Sequence, residues 1–187
     1  MKKLFVIALA ALATITASAQ QLAKVNFQEL VMLMPEMDAA RETMNASQKE
    51  AEETYAAMVE EYQNKATQYQ QKSATWTAAI KESKEKELMD MQQRIQEFQQ
   101  SISQELQQQQ TQLTAPIQEK ANEAVTKIAK AKGIAVLFDA TQAIYFDEKL
   151  IVDLTDEARK ALNIPEGRTL ETLQAELQAK AQAAAAK

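Results

Sequence analysis

The sequence predicts an α+β chain that is mostly α: a long antiparallel helical hairpin, a coiled-coil-like tentacle, projecting from a small β-rich body. Three observations predict it. Residues 36–115 contain no glycine and no proline and are largely Ala, Glu, Gln, Lys, Met and Tyr, mostly good helix formers, with the two helix-interrupting residue types missing. Two apolar stripes run through this segment, one from Met37 through Met44, Tyr55, Tyr62 and Trp76 to Ile80, the other from Leu88 through Ile95, Ile102 and Leu106 to Leu113. Their steps are mainly three, four or seven, which is coiled-coil spacing with occasional slips. Short strand-like segments lie on both sides of the run, one before it and two after, so a chain that joins them in one sheet must travel out and return.

The elements follow in order. Lys2 and Lys3 precede an apolar run from Leu4 to about Ile15, and Ala17-Ser18-Ala19 supplies a small-x-small site; residues 1–19 are therefore assigned as an export signal cleaved after Ala19. The run is shorter than the roughly twenty apolar residues a bilayer span needs, so no integral membrane anchor is expected. Residues 20–35 open the body, with Val25 and Phe27 on one face of a short strand and Gln28 to Met34 as a helical turn or two ended near Pro35. Residues 36–115 form the arm. As one rod they would reach roughly 120 Å; folded back they give two arms of about 60 Å. The stripe loses definition between Lys72 and Lys86, where Ser73, Thr75, Thr77 and Ser83 offer hydroxyls for capping helix ends, and the reversal is expected there. A straight parallel coiled coil is the alternative; the strands on either side favour the hairpin.

Residues 116–164 complete the body. A helical pattern from Ile117 to Ile128 stops at Gly133, a C-terminal cap. Ile134 to Phe138 and Ala143 to Phe146 are expected to form a β-hairpin around the turn Asp139-Ala140-Thr141-Gln142. Asp153, Thr155 and Asp156 mark a helix start before Glu157 to Leu162, and Pro165-Glu166-Gly167 breaks the chain again. Residues 165–187 are a thinly amphipathic tail.

Composition narrows the function. The net charge is −5, or −7 once Lys2 and Lys3 are removed. An acidic chain without a basic stripe is not built for nucleic acid or for anionic lipid. It has no His and no Cys, so disulfides and the commonest general base, nucleophile and metal ligands are missing. Two glycines leave few tight loops to shape a pocket. Asp139, Asp147, Asp153 and Asp156 lack the calcium-loop spacing and are assigned to solvated turns. No enzymatic activity, cofactor or metal is expected. A body of roughly fifty residues buries too little core to stand alone, and its open sheet edges invite other copies of the chain.

Some stretches resemble a known family. Leu113-Thr114-Ala115-Pro116-Ile117-Gln118-Glu119-Lys120, leading through Val125 and Ile128 to Gly133 and Val136-Leu137-Phe138-Asp139, is similar to the Skp (OmpH-like) family of periplasmic chaperones. Asp153-Leu154-Thr155-Asp156-Glu157 running into Leu162-Asn163 is a second such stretch, and Val25-Asn26 with Pro35 fits as well. The resemblance covers about Gln20 to Ile164. It implies a homotrimer in which the β-rich body joins the subunits and three hairpins surround a cavity. It also implies the activity, holding unfolded outer-membrane β-barrel proteins in the periplasm without ATP. Binding of acidic lipids and lipopolysaccharide, known for a strongly basic member, is not carried over to this acidic chain. The tail after Pro165 lies beyond the resemblance.

Candidate client contacts are Met37, Met44, Tyr55, Met58, Tyr62, Tyr69, Trp76, Met91 and Phe98. Tyr55, Tyr62, Tyr69 and Trp76 are spaced by seven, close to one helix face. Such a stripe packs a seam in most helices; facing a cavity, aromatic rings with polar handles and flexible thioethers, Met32, Met34 and Met89 among them, suit varied clients. Both readings stay open. Candidate residues of the trimer body are Val25, Phe27, Ile134, Val136, Phe138, Ile144 and Phe146. The expected function is a periplasmic holdase; the alternative is a structural coiled-coil protein of the cell envelope.

Overall fold

The computed structural model describes residues 21–185, so the expected export signal lies outside the described residues. In chain order they form β1 (Gln21–Val25), α1 (Phe27–Leu33), α2 (Pro35–Lys72), a 3-10 turn (Ser73–Thr75), α3 (Ala78–Ala131), β2 (Ile134–Asp139), a second 3-10 turn (Ala140–Gln142), β3 (Ile151–Asp153), α4 (Thr155–Ala161) and α5 (Leu170–Ala185). The architecture is α+β and mostly α, with a small three-stranded sheet. Among the described residues two compact units divide it: residues 21–34 together with 119–185, and Pro35–Gln118.

In the first unit β1 is the central strand, in the order β2-β1-β3, and both neighbours run parallel to it. Leu22 pairs with Val136 and with Ile151, and Lys24 with Phe138 and Asp153. A parallel pair cannot be joined by a tight turn, and here all of α1 to α3 forms the connection from β1 to β2. Ala23 packs with Ala129 and Leu154 in the core, with Ile128, Ile134 and Leu137 around them.

Two expectations are corrected in this unit. Phe27 is not a strand residue but the first residue of α1. Asn26 ends the strand: its side chain accepts from the Glu29 amide at 3.2 Å and donates to the Glu29 carboxylate at 2.7 Å, a reciprocal cap that fixes the helix start. The Asn26 amide also donates to Thr155 Oγ1 at 3.2 Å, tying the starts of α1 and α4. Nor does Ala143–Phe146 return as a hairpin strand. The Asp139 carboxylate accepts from the Thr141 amide at 2.9 Å and its hydroxyl at 2.8 Å, which turns the chain out of β2 into the 3-10 turn. The chain then runs on to β3, on the far edge of β1. Ile144 is left fully exposed, and Phe146 lies half-buried with its ring edge-on to Phe138 at 5.9 Å.

The second unit is an antiparallel helix pair. Gln109 donates to Ser47 at 2.9 Å, Lys65 to Glu87, and Tyr69 to Glu85; as the residue number rises on α2, its partner's falls on α3. A straight rod is thereby excluded. The reversal occupies Ser73 to Thr77, within the expected window. The Thr75 hydroxyl donates to the Lys72 carbonyl at 2.8 Å, Trp76 is extended (φ −88°, ψ 150°), and Thr77 Oγ1 accepts from the Ile80 amide at 3.4 Å. Ser83 takes no part in the turn and lies within α3.

The prolines behave differently. Pro35 opens α2, where its missing amide hydrogen costs nothing and its fixed φ suits the helix. Pro116 lies inside α3, which runs through it without ending, so the division of arm from return helix at that residue is not a helix boundary. One internal hydrogen bond is lost there, and long stretches of good helix formers on both sides hold the helix.

Candidate functional site

Along the helix pair the candidate contact residues are placed by helical periodicity. Met37, Met44, Tyr55, Met58, Tyr62, Tyr69, Trp76 and Phe98 are half-buried, covered in part and open to solvent in part. Met91 is 3% exposed and is a packing residue as it stands. The structure brings two sets together. Tyr69 and Trp76 meet edge to face at 5.8 Å near the turn. Tyr55 and Phe98 share an open groove of about 420 Å³ with Ala51, Ile102 and Leu106, alongside the polar Gln48, Glu52, Gln99 and Ser103.

The end of the pair is polar. Glu87 accepts from Lys65 and, at 2.7 Å, from Lys84. The Lys65 hydrogen bond, then that of Lys84, holds the Glu87 carboxyl down to about 2. Its bond to Glu87 raises Lys65 in turn, and the bond to Glu85 raises the Tyr69 hydroxyl. Beyond the candidates, Met89 is 62% exposed and Ile80 is also exposed. Met89 was named from the sequence among the thioethers suited to clients, as was Met34, which is fully buried.

In the sheet unit the candidates divide. Val25 and Ile134 face inward, the first buried and the second packed against the core, and Phe27 is half-buried at the start of α1. Val136, by contrast, is 52% exposed, beside the exposed Leu22 with which it pairs. Strand alternation puts these two on the face opposite Ala23 and Leu137. Lys24 is held there by Asp153 at 3.3 Å and Glu148 at 3.7 Å, with its ammonium 4.6 Å from the centre of the Phe146 ring. Burial pushes the Asp153 carboxyl up, but the bonds from Thr155 and Lys24 outweigh it and leave the group lowered. Phe146 and Phe138 thus lie over the sheet while Ile144, Tyr145 and Leu150 stand in solvent. Leu22, Tyr145 and Leu150 were not among the sequence candidates; a strand reading of residues 143–146 hid the exposed loop.

Among the described residues no group of three or more His, Cys, Asp or Glu could hold a metal, and no helix is long and apolar enough to cross a membrane. The described residues carry exposed or half-open apolar side chains on the helix pair and on the small sheet. The family model described as outer membrane protein (OmpH-like) matches residues 21–162. The chain belongs to the OmpH-like family. No curated protein matches it. The OmpH-like family is one of periplasmic chaperones of outer-membrane proteins, in agreement with the resemblance carried by Leu113–Asp139 and Asp153–Asn163. In this OmpH-like chain the match takes in every element from β1 to α4 and ends before α5.

Proposed function

We propose that this OmpH-like chain is an ATP-independent periplasmic holdase that binds unfolded outer-membrane β-barrel proteins in a cavity between the helical arms of a homotrimer. The observation that carries the reading is the helix pair itself: Met, Tyr, Trp and Phe side chains left half-open along its length. An unfolded β-barrel protein offers apolar side chains at alternate positions and no fixed shape. Flexible thioethers and aromatic rings meet such a chain with many weak contacts. Met37, Met44, Tyr55, Met58, Tyr62, Tyr69, Trp76 and Phe98 are the proposed contacts, joined by the exposed Met89 and Ile80; Met91 would take part only where the pair opens.

The exposed apolar residues of the sheet unit support self-association. Leu22, Val136, Ile144, Tyr145 and Leu150 would be covered by neighbouring copies, with Phe138 and Phe146 beneath them and Val25 and Ile134 supporting the sheet from within. On this reading residues 1–19 are removed on export, 20–35 and 116–164 build the joining body, and 36–115 form the arm. The acidic net charge, −7 once Lys2 and Lys3 are removed, counts against nucleic acid and anionic lipid as partners.

The test is dilution of a urea-unfolded outer-membrane β-barrel into buffer with the mature chain at threefold subunit excess, followed by light scattering without nucleotide. Suppressed aggregation is the expected result. Scattering equal to that of the client alone would remove the holdase reading and leave the envelope-spacing role of a coiled coil.

A further inference from the structure

The last helix lies outside the family match, which ends at residue 162, yet it is seated in the sheet unit. Leu173 of α5 is 3% exposed, and α5 packs against α1, whose Leu30, Val31 and Leu33 are buried. The approach to α5 is shaped by left-handed backbone at Asn163 (φ 54°) and Gly167 (φ 76°), with Ile164 buried between them. Arg159 of α4 then fastens it. Its guanidinium donates to Glu29 of α1 at 3.2 Å and to the carbonyl oxygen of Arg168. One planar fork thus joins α1, α4 and the residue that leads into α5, which a single ammonium group does poorly. The start of α5 is set by a reciprocal cap: the Thr169 amide donates to Thr172 Oγ1 at 2.9 Å and the Thr172 amide to Thr169 Oγ1 at 3.2 Å.

The seven-residue α1 is too short to be stable alone in water, where isolated helices need about 12–15 residues, so it depends on what covers it; α5, at 16 residues, is long enough to serve as that cover. We propose that residues 165–185 are a C-terminal clasp, in which Leu173 and the Arg159 fork hold α1 against α4, so that α1 in this chain depends on a segment outside the family match. The competing picture is an appendage resting on a body already complete without it.

Hydrogen exchange on the full-length mature chain separates the two. Leu173→Glu puts a carboxylate into the seat and releases α5. A clasp then costs the amides of residues 30–33 at least about tenfold in protection, alongside the loss over residues 173–180. Leu177→Glu, at an exposed position of the same helix, is the control and changes neither. Leu173→Ala gives the same order of effects in milder form if the glutamate variant does not fold. Loss of protection in α5 with α1 unchanged would make the tail an appendage and overturn the proposal. Full protection of α5 in Leu173→Ala would overturn the role given to Leu173.

Discussion

Glu87 sits between Lys65 and Lys84 at the end of the helix pair, with its carboxyl lowered from 4.5 to about 2. A lowered folded-state value means that ionised Glu87 stabilises the pair at pH values above 4.5 and that this contribution fades as pH falls toward 2. The Glu87 side chain is half-buried, with 33% of it facing solvent, so screening keeps the effect small. Glu87→Gln should therefore reduce amide protection around residues 65–69 at pH 7 and by much less at pH 2, where about half of the Glu87 carboxyls are protonated; equal loss at both pH values would point to packing and not charge. High salt should weaken the contact in the native chain in the same direction. The aromatic residues call for a different expectation. If clients are held by many weak contacts, Tyr62→Ala or Trp76→Ala alone should lower client affinity by less than about tenfold, roughly 1.4 kcal/mol. A single change that abolished binding, with the assembly intact, would reveal a discrete site.

At the scale of elements, Pro116 is the informative residue. A proline in a helix interior costs about 3 kcal/mol relative to alanine, and α3 carries it without interruption. Pro116→Ala should raise stability by about 1–3 kcal/mol in urea unfolding; a loss would show that the helix needs the bend or rigidity proline supplies. The helices were legible because helix formation is local: residues 36–115 lack helix breakers, and Thr75 and Thr77 supply the hydroxyls used at the turn. Pro116 lies close to where the two compact units divide, between Gln118 and Glu119, but it does not end the helix because its local cost is outweighed by the turns on both sides. Strand pairing was less legible, since the choice between parallel and antiparallel partners is made across the sheet. Asp139-Ala140-Thr141-Gln142 has a good turn-former in Asp139, but the chain has no glycine between Gly133 and Gly167, and the tight two-residue hairpin turns rely on glycine or asparagine at positive φ. That missing glycine was the available warning against a hairpin there. Phe27 was misplaced for a similar reason: alternation suggested a strand, whereas Asn26 and Glu29 form a cap.

For the whole molecule, half-exposed Val136 separates folding from assembly. Val136→Asp should leave the single chain folded, because 52% of the residue already faces water. It should prevent association, because covering an unpaired carboxylate with a neighbouring copy costs several kcal/mol. Sedimentation equilibrium at micromolar concentration checks both: trimers are expected for the native mature chain and folded monomers for the variant. The family was legible in the order of its motifs. The apolar surface at Leu22, Tyr145 and Leu150 was not, because exposure depends on how β3 and the loop before it cross the sheet. The most direct test of the central claim is a fluorescence-anisotropy titration of a dye-labelled, urea-unfolded outer-membrane β-barrel with the mature chain in nucleotide-free buffer. The expected result is saturable binding with three chains per client, lost in Val136→Asp; no binding, or undiminished binding by the folded monomeric variant, would contradict a client held between the arms of an assembly.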